Sequence, residues 1–213
     1  MFRPLLRQPD PDASLVDASR TGDIHAFDVL VRRYQERLTL FVRARLDTSI
    51  DASDVAQEIL VDAWCKLPQF QGRSRFKTWL FGIAINHCAE ARRRHRVVPL
   101  VLLDGEEADE LPRPWMSHTD PRDWSAVMEE REAVQRGLRI LPEPERQTLE
   151  LYYYAQLNLP EIARLLNVNL NTLKYRFYQA HRRLRAHLET WEQENSTGLV
   201  PPSVMMPCGR KLP

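Results

Sequence analysis

Apolar residues in this chain recur at spacings of three and four and rarely alternate, the signature of amphipathic helices rather than strands. Phe27, Leu30, Val31, Tyr34, Leu38 and Phe41 line one face of a long helix whose start is marked by Asp23 as N-cap. A short helix over residues 14–20 precedes it, closed by Gly22 at a position suited to a left-handed turn. A third helix is predicted over about residues 52–67, with Val55, Ala56, Ile59, Leu60, Ala63, Trp64 and Leu67 as its stripe and Pro68 as its stop. Its opposite side carries Asp54, Gln57, Glu58, Val61 and Asp62, and a solvated face is the usual reading of such a side on a surface helix. After a loop containing Phe70 and Gly72, a helix over about residues 75–94 turns Phe76, Trp79, Leu80, Ile83 and Ala84 inward.

The period is lost over residues 97–122, where Pro99, Pro112, Pro114 and Pro121 accompany an acidic run of Asp104, Glu106, Glu107, Asp109 and Glu110. A stretch this long without periodicity is better read as a linker than as a loop of one compact domain. Helices resume over about residues 125–141, with Val127, Val134, Leu138 and Leu141 inward, and over residues 144–154. Asn158 and Glu161 then form a capping-box pair ahead of a short helix over about residues 159–166. Asn167, Val168 and Asn169 make a tight turn, and Asn169 caps a last helix reaching about residue 189.

A short capped helix, a three-residue turn and a longer basic helix make a helix-turn-helix, with Ile162, Ala163, Leu166, Val168 and Leu173 filling its angle. The second helix then exposes Asn171, Thr172, Lys174, Tyr175, Tyr178, Gln179 and Arg182, donors suited to phosphates and to base edges in the major groove. The alternative is a simple helical hairpin with a solvated charged face, against which stand the single sign of the charge and the complete cap pattern.

The fold class is therefore all-α: two small helical domains joined by a flexible acidic linker, the second carrying a helix-turn-helix of winged-helix-like type. The spans are a disordered N-terminus of residues 1–13, a first domain of 14–96, a linker of 97–122, a second domain of 123–190 and a flexible tail of 191–213. Seven glycines among 213 residues agree with a helical chain. The net charge of +1 conceals a segregation. Over residues 73–96 seven basic residues meet one acid, Glu90, and over residues 162–188 six basic residues meet none. Two basic blocks divided by an acidic connector suggest a polyanion touched at two places.

The three cysteines, Cys65, Cys88 and Cys208, form no CxxC pair, and the six histidines do not cluster at ligand spacing. No metal site, cofactor or catalytic constellation is expected, so an enzyme is disfavoured. Cys65 and Cys88 read as inert thiols, Trp64 and Trp79 as core residues in phase with their stripes, and His87 and His95 as facing solvent or phosphate. No apolar run approaches the ~20 residues of a membrane span, and the start MFRPLLRQPDPD is unlike a signal peptide, which points to a cytoplasmic protein without membrane insertion.

Two stretches carry a family resemblance. DVAQEILVDAWCKLPQFQGRSRFKTWLFGIAINHCAEARRR resembles the promoter-melting region of the extracytoplasmic-function sigma factors, and LPEPERQTLELYYYAQLNLPEIARLLNVNLNTLKYRFYQAHRRLR resembles their second DNA-binding region. GDIHAFDVLVRRYQERL is similar to that family's first helices. The resemblance covers about residues 14–190 and implies a specificity subunit of bacterial RNA polymerase. It implies that Asp54, Gln57, Glu58 and Asp62 dock on core polymerase, and that Phe70, Gln71, Gly72 and Asn86 capture a flipped base of the −10 element. Arg75, Lys77, Arg92, Arg93 and Arg94 would hold the nearby phosphates, and the helix-turn-helix residues would read the −35 element. It also implies promoter DNA and an anti-sigma factor as partners. Tyr175 stands where the family usually has Ser, and Asn171 where Gly is frequent, departures that bear on promoter sequence rather than on DNA binding. The alternative is a free-standing helix-turn-helix regulator, whose first domain would need an apolar sensing pocket in place of the acidic face.

Overall fold

The computed structural model describes residues 10–46, 49–97 and 132–196, all in helices and the turns between them. Residues 1–9, the expected linker apart from residue 97, the first part of the helix expected over 125–141, and the tail beyond residue 196 with Cys208 lie outside the described residues. The elements are α1 (Ala13–Arg20), α2 (Ile24–Arg45), α3 (Ala52–Lys66), a 3-10 turn (Leu67–Gln69), α4 (Phe76–Val97), α5 (residues 132–140), α6 (Glu143–Tyr153), α7 (Leu159–Leu165) and α8 (Leu170–Ser196). The last helix extends past the expected residue 189, and α4 past residue 94.

The capping signals form as the sequence predicts. Asp23 accepts from the His25 and Ala26 N–H groups at the start of α2. Gly22 takes φ +97° and closes α1, with Gly22 N–H on the Ser19 carbonyl and Asp23 N–H on the Ala18 carbonyl. The same arrangement ends α7: Asn167 takes φ 52°, and Val168 N–H bonds the Ala163 carbonyl at 2.9 Å. Asn169 then accepts the Asn171 N–H at 2.8 Å and starts α8. Asn158 and Glu161 make both bonds of the capping box, each at 2.9 Å. Asn158→Ala should lower stability by about 1 kcal/mol, read as a lower urea midpoint with an unchanged slope.

The chain divides into two compact units, Met1–Glu110 with Gln147–Phe177, and Leu111–Arg146 with Tyr178–Pro213. In the first, Leu30, Leu38, Phe41, Ile59, Phe76, Leu80 and Phe81 are almost fully buried, and Phe41 meets Phe81 edge-on at 5.3 Å between ring centroids. Each such side chain stabilises the fold by roughly 1.5–3 kcal/mol. Trp64 packs on Phe27 at 4.8 Å, in agreement with a core role. The same buried cluster continues into Leu151, Leu157, Ile162, Ala163 and Leu173. The units therefore cut across the spans 14–96 and 123–190, because the helix-turn-helix buries its inner face on the same core as the first four helices. In the second unit, a Cβ added to Gly137 of α5 would lie 2.6 Å from Leu184 Cδ1 of α8, so this glycine allows the close approach of the two helices.

One expectation fails at the start of the chain. Residues 10–13 are ordered rather than disordered: Asp12 is fully buried and accepts hydrogen bonds from Arg33 and from the Tyr34 hydroxyl. Burial and the Asp12 carboxylate together raise the Tyr34 pKa above its ordinary value.

Candidate polymerase and nucleic-acid interfaces

The face of α3 opposite the core presents Asp54, Gln57, Glu58 and Val61 to solvent. The helix phase fixed by Val55, Ala56, Ile59 and Ala63 makes this unavoidable, since those four are buried. Asp51 caps the helix, so Asp54 is left with its charge at the first turn. Asp62 differs from the other acids of this face. Its carboxylate accepts from Lys66 at 2.7 Å and from His87 at 2.8 Å, and these two partners, Lys66 first, hold its pKa below the usual range. His87, expected to face solvent or phosphate, is instead spent on tying α4 to α3.

The loop of residues 70–75 begins and ends on aromatic anchors. Phe70, only 7% exposed, packs 4.9 Å from the Trp79 ring and 6.4 Å from Phe76. Its ring is thus a floor for the loop and not an exposed platform on which a base could stack. Gln71 is exposed, and Gly72 has φ +61°, a conformation that most other residues would adopt at a cost. Phe70, Gln71, Gly72 and Arg75 border a half-open cavity of about 360 Å³, lined on its other side by Asp10 and by Asp17 and Arg20 of α1.

The basic residues expected to face phosphates are only partly available. Arg75 Nη1 lies 3.4 Å and Lys77 Nζ 3.8 Å from the Glu161 carboxylate of α7, and Lys77 also donates to the Gln156 carbonyl at 2.7 Å. Arg93 and Arg94 both pair with Glu90, about one turn back on α4, while remaining exposed. Those pairs lie at the surface and contribute little, so a phosphate can replace Glu90 at small cost. Asn86 is exposed and Arg92 half-buried.

On α8 the residues expected to face DNA are mostly at the surface. Asn171, Thr172, Lys174, Tyr175, Tyr178 and Arg182 are exposed; Gln179 is half-buried and accepts from Arg182 at 2.6 Å. Tyr175 and Tyr178, about one turn apart, are 65% and 66% exposed, large aromatic surfaces turned to solvent. The face combines donors, one sign of charge and two aromatic rings.

Cys65 is exposed, and Cys88 is buried, which pushes its thiol up to about 11. Among the described residues no group of three His, Cys, Asp or Glu side chains is placed to hold a metal ion, and no helix is long and apolar enough to cross a membrane. Four residues that shape the fold around the site carry no local sequence signal. They are Asp10 and Asp12, which fix the edge of the cavity, and Arg45 and Glu150, a buried ion pair. Only the burial of their surroundings distinguishes them from ordinary surface charges.

Residues 30–97 match Sigma-70 region 2, and residues 131–184 match Sigma-70 region 4. The chain is 30% identical over 178 residues to the RNA polymerase sigma-H factor of Pseudomonas aeruginosa, covering 80% of this chain and 90% of that protein. It is 32% identical over 176 residues to the ECF RNA polymerase sigma-E factor of Escherichia coli K12, covering 79% and 90%. Its fold is similar to that of the sigma factor RpoE from Bartonella quintana, solved in complex with the anti-sigma factor NepR. That match has a TM-score of 0.58 at 21% identity, over 78% of this chain and 98% of the other. With both regions in order along an all-helical chain, the protein belongs to the extracytoplasmic-function sigma factors of bacterial RNA polymerase.

Proposed function

We propose that this sigma factor docks on core polymerase through Asp54, Gln57 and Glu58, captures the −10 strand at the loop of residues 71–75, and reads the −35 element with the exposed face of α8. The observation that carries the docking reading is the contrast among its carboxylates. Asp12, Asp62, Glu90, Glu150 and Glu161 each face a basic side chain within the fold. Asp54 and Glu58 point outward from a rigid helix, suited to a basic partner. Asp62 contributes less, because Lys66 and His87 already hold it. The segment of residues 14–96 supplies the polymerase and −10 contacts, and 123–190 the −35 contacts. The chain acts in the cytoplasm as an initiation subunit without catalysis of its own.

In vitro transcription with core polymerase over a promoter library tests this reading: added chain should produce transcripts from a subset of promoters, and none from any promoter would refute it. At the −35 element, Lys174→Ala with Arg182→Ala should weaken duplex binding. The slope of log affinity against log salt should fall by about 0.9 for each phosphate no longer neutralised. An unchanged slope would exclude direct phosphate contact by those two side chains. An anti-sigma protein completes the proposed partners; the fold relative solved with NepR supports it. Pull-downs from cells under inducing and non-inducing conditions decide it, and recovery of polymerase alone in every condition would remove it.

A further inference from the structure

The helix α4 starts at Phe76. Ser74 and Arg75 precede Phe76, and the Ser74 hydroxyl is turned to the Arg75 carbonyl, 3.3 Å away. The Phe76 N–H is capped by Asp10, 66 positions earlier. Asp10 Oδ2 accepts the Phe76 N–H at 2.6 Å, and Oδ1 accepts the Asp12 N–H at 3.1 Å. Asp12, wholly buried, is itself held by Arg33 and Tyr34 of α2. A carboxylate is well suited to the unpaired N–H groups and positive end of a helix N-terminus. Here it also fastens the exit of the loop to α2 through Asp12, while Phe70 anchors the entrance to Trp79. Residues 71–75 are left between two fixed points, and the cavity of about 360 Å³ opens between them and α1.

We propose that Asp10 is a positioning residue for strand capture: it fixes the loop's exit and, with Asp17 and Arg20, makes the second wall of a pocket for one unpaired base. The proposal rests on the reading of residues 71–75 as the strand-capture loop. Both Asp10 oxygens are engaged, so Asp10 acts through the loop rather than on the base. Gln71, with Asp17 and Arg20, which pair with each other at 3.7 Å, offers the pocket acceptors and donors together, as the edge of an extruded heterocycle requires. A loop already held at both ends gives up less conformational freedom when a base enters, so the capture is tighter.

The test uses holoenzyme assembled from the full chain and core polymerase, on a promoter obtained from the transcription library and pre-melted across its −10 element. Single abasic sites are placed at each −10 position of the non-template strand, and affinity is measured for each template. With the unmodified chain one position should cost about tenfold, the scale of one captured base. In Asp10→Ala that penalty should vanish, with the intact template bound about tenfold more weakly. Asp10→Asn keeps one acceptor oxygen and should show an intermediate penalty, and it decides the question where circular dichroism shows Asp10→Ala unfolded. A merely structural role would weaken every template alike and leave the abasic penalty whole in both variants; that result overturns the proposal. Absence of any abasic penalty in the unmodified chain would instead overturn the strand-capture reading itself.

Discussion

Asp54→Arg combined with Glu58→Arg should abolish assembly with core polymerase: affinity is expected to fall by at least about 100-fold, measured by fluorescence titration of the labelled chain with core enzyme. Two charges are reversed on one exposed helical face, and like-charge juxtaposition at an interface costs several kcal/mol, each ~1.4 kcal/mol being tenfold in affinity. The fold tolerates the change, because both side chains are exposed and neither takes part in the core. One secondary cost is expected. Asp54 lies in the first turn of α3, where an acid favours the helix by about 0.3–1 kcal/mol, so a small loss of thermal stability accompanies the loss of binding. Binding of −35 duplex, proposed for α8, should stay at its original affinity, which separates a docking defect from unfolding. Retention of normal core affinity in a folded double variant would move the docking face off α3. Asp62→Ala, by contrast, should act mainly through α3–α4 packing, since Lys66 and His87 are its partners.

The parts of this molecule legible in the sequence are those decided within one or two turns of chain. The stripe of α2, the cap at Asp23, the box of Asn158 with Glu161, and the turn of Asn167 with Asn169 depend on neighbours three or four residues away. They form as read. What sequence could not show is which charges are already spent. Arg75 and Lys77 read as available cations in a basic block, yet Glu161 from the helix-turn-helix is their counter-charge. The capping box identifies Glu161 and even its bond to the Asn158 N–H, but not that its other neighbours lie at the start of α4. A phosphate reaches Arg75 and Lys77 only where it displaces that carboxylate. Phe70 shows the same limit: the family resemblance places it among the residues that capture a flipped base, and only the positions of Phe76 and Trp79 show its ring turned inward. Asp10 and Asp12 sit in a proline-rich segment that composition marks as disordered, and their partners are 66 and 21 residues distant.

Arg45 and Glu150 give the largest expected effect on stability. Arg45 Nη1 lies 2.5 Å from Glu150 Oε2, across 105 residues, with the two side chains 3% and 0% exposed. The pair joins the end of α2 to the middle of α6 inside the first compact unit, with the Arg45 guanidinium also 5.4 Å from the Phe41 ring centre. Removing one partner leaves a charge in a dry interior, and such changes cost about 3–5 kcal/mol. Arg45→Ala and Glu150→Ala should each lower the unfolding free energy by about that amount in urea titrations of the full chain, a large share of the ~5–15 kcal/mol typical of a folded domain. Replacing both by apolar residues of similar volume, Arg45→Met with Glu150→Leu, should recover most of the loss, because the desolvation of two ions disappears together with their attraction. Cys88 provides an independent probe: it is fully buried, its thiol is pushed up to about 11, and Arg45 and Glu150 are among the charges acting on it. In the single variants its alkylation at neutral pH should accelerate as the core around it opens, whereas Cys65, already exposed, should react at an unchanged rate. Single variants as stable as the parent would mean that the pair is open to water in solution. A double variant no better than the singles would mean that its value lies in the geometry of α2 against α6 rather than in the balance of two buried charges.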